Sequence, residues 1–306
     1  MMLNKYVCSK IREIIVLSFT VKENSPLAPI TGMRVGGKAR YLVFPRDAAG
    51  LADAIRRYKE RGEKVITVGN CSNIIFPDSG FDGAVIVTTC VKGIALRSGV
   101  VIAACGETLS SLARFAANNS LSGLEFCYGI PGTVGGGIFM NAGAYGGELS
   151  QRVKECRLLD EDLEEITLPV EALDFGYRRS AVADRGYTVL SASFECENGE
   201  TEAIFRQMDA LMARRKASQP LEYPSCGSTF KRPEGHYAGA LIEQCGLKGV
   251  SVGGAEVSQK HAGFIINKNN ATASDVLALI KLVTETVYAQ TGVTLEPEVR
   301  IIGAEG

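Results

Sequence analysis

Gly129-Ile130-Pro131-Gly132-Thr133-Val134-Gly135-Gly136-Gly137 is the stretch on which the reading of this chain turns. Three consecutive glycines close to Thr133 strip side chains from a long path, and Asn141-Ala142-Gly143-Ala144-Tyr145-Gly146-Gly147 extends it. A packed core segment would forfeit contacts and chain entropy by such a composition. Close approach of backbone to a pyrophosphate is a sufficient reason for it. The spacing is neither G-x-G-x-x-G nor G-x-x-x-x-G-K-[ST], which disfavours a Rossmann dinucleotide site and a P-loop. An earlier turn, Gly69-Asn70-Cys71-Ser72-Asn73, follows an apolar run at 65–68 and can aim N–H groups and a hydroxyl at the same kind of anion. Taken alone, that turn reads better as an ordinary strand-end glycine. The two stretches together predict a nucleotide-type anion site on an unusual fold.

Outward from these loops, helices and strands are mixed. Asp47 is placed to cap a helix carrying Ala48, Leu51, Ile55 and Tyr58 on one face and ending near Gly62. Strands are expected at 65–68, 74–76 and 84–87, a helix at 109–117, and strands at 157–159, 163–168 and 187–194. A helix over 201–216 buries Ile204, Met208, Leu211 and Met212 and ends in basic residues that suit its C-terminus. The Pro-containing segment 219–224 then marks a domain boundary. Beyond it come a helix at 238–245 stopped by Gly246, a strand at 263–266 and a helix at 272–290. Thr272 with Asp275 opens that last helix in the manner of a capping box, and Gly292 closes it.

Composition narrows the possible partners. A length of 306 residues is long for one core and suggests two or three domains. A net charge of −1 without any Lys/Arg run leaves no footprint for nucleic acid or an anionic membrane surface. The longest early apolar stretch, 14–19, is too short to span a bilayer and lacks a small-residue cleavage site, so an unprocessed, cytoplasmic protein is expected. Nine cysteines without a C-x-x-C pair favour a reducing compartment over a disulfide framework, and the two histidines, His236 and His261, complete no metal cluster. No metal and no obligate protein partner are expected.

Read together, several segments resemble the UDP-N-acetylenolpyruvoylglucosamine reductase family. Arg34-Val35-Gly36-Gly37, the 69–73 turn, the segment from Gly129 to Gly136, and Asn141-Ala142-Gly143-Ala144-Tyr145-Gly146 look like its FAD-binding half. Phe175-Gly176-Tyr177-Arg178 and Gly227-Ser228-Thr229-Phe230-Lys231 look like its catalytic segments. Gly246-Leu247-Lys248-Gly249, Gly253-Gly254-Ala255, the His261-to-Asn267 run and Glu296-Pro297-Glu298-Val299-Arg300 continue the likeness, which covers about residues 30 to 304. The resemblance implies an α+β chain with an FAD-binding fold of the vanillyl-alcohol-oxidase type, made of two α/β subdomains, plus a C-terminal α/β substrate domain. The expected division is 1–90, 91–218 and 219–306, with the last strand free to return to the FAD domain. The interval between Arg178 and Ser228 fits the family's shorter variant, which lacks an extra tyrosine-bearing loop. Two departures stand out. Cys71 occupies a position where the family commonly has glycine, and Gly32-Met33 replaces a polar-aromatic pair before Arg34.

What the resemblance implies chemically is specific. NADPH would reduce non-covalently bound FAD, and the hydride would then pass to the enolpyruvyl methylene of UDP-N-acetylglucosamine enolpyruvate, giving UDP-N-acetylmuramate for peptidoglycan. Arg178 matches the residue facing the substrate carboxylate and enolate, Ser228 the proton donor, and Glu298 the carboxylate beside the enolate. FAD contacts are implied at Arg34, Gly36, Gly37, Gly69, Asn70, Cys71, Ser72, Asn73, Gly129, Pro131, Gly132, Thr133, Gly135, Gly136, Asn141, Gly143, Ala144 and Tyr145. Tyr177, Lys231, Tyr237, Lys260, His261 and Arg300 are candidates for substrate. Outside the resemblance, Arg178 would read as a salt-bridging residue, Ser228 as a turn serine and Glu298 as a solvated strand residue. Two rival functions remain at this stage: another flavin oxidase or dehydrogenase on the same fold, and a sugar-nucleotide sensor without turnover. Both histidines lie after residue 230, away from the FAD-binding half where a covalent flavin tether would be sought.

Overall fold

The structure, a computed structural model, describes residues 18–303; Cys8 and most of the apolar run 14–19 lie outside them. The first unit contains β1 (Phe19–Pro26), β2 (Lys38–Pro45), α1 (Ala48–Glu60), β3 (Lys64–Val68), the short β4 (Ile74–Ile75) and β5 (Phe81–Val87). Its sheet runs β1-β2-β5-β3, with β5 parallel to both β2 and β3 and β1 antiparallel at the edge. Ala84, Val85, Ile86 and Val87 are all buried, as a strand covered on both faces requires. Asp47 caps α1 by accepting from the Gly50 N–H at 2.7 Å, and the helix lays Leu51, Ile55 and Tyr58 on the sheet.

The second unit contains β6 (Ile94–Arg97), β7 (Val100–Ala104), α2 (Leu109–Asn118), β8 (Leu121–Ser122), α3 (Val134–Met140), β9 (Gly143–Ala144) and β10 (Gly147–Glu148). It continues with β11 (Val153–Leu159), β12 (Glu165–Pro169), α4 (Ala181–Asp184), β13 (Thr188–Glu195), β14 (Glu197–Asn198) and α5 (Thr201–Ser218). Five of these strands form an antiparallel sheet in the order β12-β11-β13-β7-β6. One apolar cluster joins the two units, running from Val43 and Leu51 through Leu109 and Ile138 to Phe194.

The third unit comprises β15 (Ser225–Ser228), α6 (Ala238–Gln244), β16 (Ser251–Val252), β17 (Ala255–Val257), β18 (Phe264–Asn267), α7 (Ala273–Thr291) and β19 (Arg300–Ile301). Its sheet order is β15-β18-β17-β16, and α7 covers it with Val276, Ile280, Val283 and Val287. Thr272 and Asp275 do form a reciprocal capping box, and Gly292 closes α7 at φ 73°. β19 pairs in parallel with β4, so the chain ends against the first unit. Asp78 of the first unit reinforces that contact by accepting from the N–H groups of Ala273 and Ser274 and from the Ser274 hydroxyl.

The glycine stretch departs from its expected form. Residues 134–140 are helical, capped by the Thr133 side chain, which accepts from Gly136 N–H at 3.3 Å. Gly137 is buried in that helix, and a Cβ there would come within 2.8 Å of Leu149 Cδ1 and 3.2 Å of Leu109 Cδ2. A Cβ on Gly135 would lie 3.1 Å from the Cβ of Cys105. These two glycines therefore serve close packing between elements, the role that composition alone had argued against.

Candidate active site

A cavity of about 480 Å³ opens where the three units meet. Its floor is the 69–73 turn after β3, one wall is the 130–137 segment, and the opposite side carries Cys226, Gly227, Ser228, Glu298 and Arg300 from the third unit. The two glycine loops are fastened to each other. Asn70 Nδ2 donates to the Pro131 carbonyl at 2.7 Å, and Gly69 lacks the Cβ that would collide with the Thr133 hydroxyl. Among the described residues, no backbone N–H from Gly69 to Asn73 donates to a protein acceptor. Such a run of unspent donors beside a cavity is an anion cradle. Gly132 and Gly136 face the open space: added Cβ atoms there would meet nothing nearer than 3.6 and 3.5 Å.

These observations fit a dinucleotide cofactor. The unspent N–H groups suit a pyrophosphate, and the two open glycines keep the wall bare where side chains would intrude. Cys71 sits in the turn at φ 47°, a left-handed conformation that glycine adopts without cost. Its thiol is buried, which pushes its pKa up to about 12. The other departure has a packing reason too: a Cβ on Gly32 would stand 2.8 Å from the Ser225 carbonyl oxygen, while Met33 is buried in the core of the third unit.

The remaining cofactor candidates divide by location. Gly143 and Ala144 line the cavity. Gly36, at φ 113°, and Gly37 pack instead against the chain at 76–80. Arg34 is exposed on a shallower hollow shared with Asn70 and Tyr223. Gly129 lies against the side chain of Arg215, and Tyr145 lies beneath the guanidinium of Arg214. Asn141 is buried at the end of α3 and acts as a brace, accepting from Ser150 N–H while its Nδ2 donates to the Gly176 carbonyl at 3.1 Å.

That brace sets the Arg178 side chain. Gly176 and Arg179 exchange backbone hydrogen bonds, leaving Tyr177 and Arg178 at the tip of a tight turn with Arg178 at φ 57°. A non-glycine residue held there stores on the order of 1 kcal/mol of strain, a feature that gathers at functional sites. Arg178 Nε donates to Glu298 Oε1 at 2.7 Å, and Nη2 reaches the Gly143 carbonyl at 3.4 Å.

Glu298 is positioned from the other side. Asn73 Nδ2 donates to its carbonyl at 3.0 Å, and its N–H donates to the carbonyl of buried Thr229. The Thr229 hydroxyl in turn accepts from Ile265 N–H. Thr229 thereby fixes Ser228, which ends β15 with an exposed side chain on the cavity wall. Glu296, two residues before Glu298, points outward to Lys231.

Of the six substrate candidates, Arg300 lines the cavity, its guanidinium 4.5 Å from the centre of the Phe139 ring. The others lie outside its wall. Tyr177 Oη accepts from Arg232 N–H, and the Arg232 guanidinium covers the ring of exposed Tyr237 at 4.1 Å. Lys260 Nζ donates to the Lys216 carbonyl at the end of α5. His261 Nδ1 accepts from Gly263 N–H, its ring meets Phe264 edge-on, and burial holds its pKa below the ordinary histidine value. Sequence reasoning missed Arg215 and Gln219, both on the cavity wall. Arg215 had been read only as part of a basic helix end, and nothing local marked Gln219.

A bare, donor-rich cavity between two α/β subdomains, lined by Arg178 of the second unit and by Ser228 and Glu298 of the third, defines an FAD-dependent oxidoreductase with the vanillyl-alcohol-oxidase type of fold. Residues 39–168 match the FAD binding domain family, and residues 219–302 match the family described as UDP-N-acetylenolpyruvoylglucosamine reductase, C-terminal domain. The UDP-N-acetylenolpyruvoylglucosamine reductase of Limosilactobacillus fermentum is 47% identical over 93% of this chain and 95% of its own length. That of Streptococcus pneumoniae is 46% identical over 92% of this chain and 94% of its own. The crystal structure of the corresponding reductase from Thermus caldophilus aligns with a TM-score of 0.78 at 31% identity, covering 92% of this chain and 98% of that one. The chain belongs to the UDP-N-acetylenolpyruvoylglucosamine reductase family.

Proposed function

We propose that this protein reduces UDP-N-acetylglucosamine enolpyruvate to UDP-N-acetylmuramate, a peptidoglycan precursor, with NADPH as the source of electrons. The observation that carries the chemistry is the convergence of Arg178, Glu298 and Ser228 on one cavity wall. The donor and the pathway role rest on family membership. Bound FAD would supply the hydride that adds to the enolpyruvyl methylene. It would be held by the N–H groups of the 69–73 turn, by the backbone at 131–136 and by Gly143 and Ala144.

Hydride addition at the methylene leaves negative charge on the neighbouring carbon, spread into the carboxylate. Arg178 meets that charge. A guanidinium has five N–H donors, of which one serves Glu298 and one weakly serves Gly143, so N–H groups remain for a substrate carboxylate. Glu298 keeps the guanidinium aimed at that developing charge. Ser228 then gives its hydroxyl proton to the enolate carbon. A serine is a weak acid, but an enolate carbon is basic enough to take the proton from it. Arg300, on the same wall, is placed for the substrate phosphates, while Lys231, Tyr177, Tyr237, Lys260 and His261 lie outside that wall.

The test is anaerobic and has two steps. NADPH should bleach the visible absorbance of the bound flavin, and the enolpyruvyl substrate should restore it. Bleaching without recovery would discard this substrate and leave an oxidoreductase of another specificity.

A further inference from the structure

Most of the cavity wall is glycine, backbone or apolar side chain, yet two neighbouring polar side chains at the end of α5 have no employment inside the protein and no place in the reaction described above. Arg215, near the end of α5, lines the cavity beside Gly129, and among the described residues its guanidinium has no carboxylate partner and no hydrogen bond. Burial holds its pKa below the ordinary arginine value. Four residues on, Gln219 also lines the cavity, and its Oε1 is shut off from solvent without a hydrogen-bond donor. A buried acceptor left unpaired costs on the order of 1–3 kcal/mol, which a ligand donor in the cavity would recover.

The combination is selective. A phosphate would accept from Arg215 but would leave the Gln219 Oε1 unpaired, since a phosphate oxygen offers that carbonyl no donor. A ligand that suits both must offer an N–H donor beside an acceptor oxygen. We propose that Arg215 and Gln219 together read the imide edge of the bound flavin, O=C–NH–C=O, with Gln219 accepting from the imide N–H and Arg215 donating to a flanking carbonyl oxygen. The uracil of a UDP-sugar carries the same edge. The flavin is the better match because Arg215 stands against Gly129, on the cofactor side of the cavity, whereas Tyr177 and Tyr237 are exposed outside it. The pair also has a redox consequence. A fixed cation near this edge favours the extra negative charge of the reduced cofactor, so Arg215 raises the reduction potential of the holoenzyme.

The test uses the purified holoenzyme and three variants, Arg215→Met, Arg215→Lys and Gln219→Glu. The midpoint potential is measured by dye equilibration, and the affinities for FAD and for the UDP-sugar by titration. In Arg215→Met the preference for reduced over oxidised flavin should fall about tenfold, which is about 30 mV for a two-electron couple. Arg215→Lys should recover most of that shift. Gln219→Glu, close in shape, should lower the potential in the same direction, because its carboxylate neutralises Arg215 from within. Unchanged potentials in Arg215→Met and Gln219→Glu, with flavin still bound, would overturn the proposal. A loss confined to UDP-sugar affinity would overturn it too and transfer the pair to the uracil. The proposal rests on flavin binding, and failure there looks different: wild-type protein that takes up no FAD defeats the cofactor reading itself.

Discussion

Arg178 and Glu298, 120 residues apart in sequence, meet through a 2.7 Å bond between Nε and Oε1 on the wall of the cavity. Their side chains are 20% and 14% exposed, so the pair is screened from most of the solvent without being sealed from it. Each partner arrives by a separate brace: Asn141 holds the turn that presents Arg178, and Asn73 with Thr229 holds the segment that presents Glu298. Asn73 and Asn141 both come from loops that also surround the cofactor site. The glycine-rich loops and the Arg178–Glu298 pair are therefore parts of one hydrogen-bonded framework.

Replacing Glu298 with glutamine separates charge from geometry. The amide oxygen can still accept from Arg178, so folding and FAD content should stay at wild-type levels. Turnover of the enolpyruvyl substrate should drop roughly 10²- to 10³-fold, the range for losing one electrostatic contact to a transition state. Bleaching by NADPH should remain. A matching loss of FAD content would instead make Glu298 a structural residue.

For Ser228→Ala the expectation is sharper, because its hydroxyl forms no hydrogen bond to the described residues and its backbone is held independently through Thr229. Reduction by NADPH should proceed normally while reoxidation by substrate slows about 10²- to 10⁴-fold. Rapid-mixing traces of the two half-reactions measure this directly. Equal slowing of both would remove serine from the role of proton donor.

Helices with a clear cap and one apolar face were legible in the sequence: α1 from Asp47, α2 from Leu109 and Leu112, and α7 from Thr272, Asp275 and Gly292. β1 was not, because six of its eight residues are exposed and one is intermediate, so it lacks the alternation that marks a strand. α3 was hidden by its own glycines, which have poor helix propensity and owe their helical state to Thr133 and to packing against Leu109 and Leu149. In the site, motif residues could be named from sequence, whereas Arg215 and Gln219 could not. Their significance lies in missing partners, and that is a property of three-dimensional surroundings.

The glycines of that segment separate by function under a single methyl. Gly136→Ala points into the cavity and should weaken FAD binding by tenfold or more while leaving the apoprotein melting temperature nearly unchanged. Gly137→Ala presses on Leu149 and Leu109 and should destabilise the fold by about 1–3 kcal/mol, as overpacking does. Thermal melts of flavin-free protein, paired with FAD titrations, distinguish the two. Equal destabilisation by both would mean that Gly136 also packs against protein.

Asp78 links stability to pH. Burial alone would raise its pKa, but hydrogen bonds from the Ser274 hydroxyl and from the Ser274 and Ala273 N–H groups win and hold it below the ordinary aspartate value. The unfolded chain therefore takes up the proton first. The stabilisation is fully present above the ordinary aspartate value of about 3.9 and is lost as pH falls through the lower folded value. Asp78→Ala should cost about 1 kcal/mol at neutral pH, the usual worth of a helix cap. Its gap from wild type should narrow below about pH 4. Denaturation midpoints at the two pH values give the comparison, and a gap that persists in acid would contradict the assignment.

Thiol reactivity offers the most direct reading of the core. Alkylation requires the thiolate, and burial pushes Cys71, Cys105, Cys156 and Cys226 up to about 12, Cys196 to about 11, and Cys127 well above the ordinary value. Cys90 is exposed. Iodoacetamide at neutral pH should therefore modify Cys90 in the native protein and spare those six until denaturant is added, with peptide-level mass spectrometry reporting each site. The informative exception would be Cys71. It lines the cavity and sits in a strained turn at φ 47°, so labelling of Cys71 at a rate near that of Cys90 would show that the 69–73 turn opens. Protection of Cys71 on adding FAD would then place the cofactor against that turn.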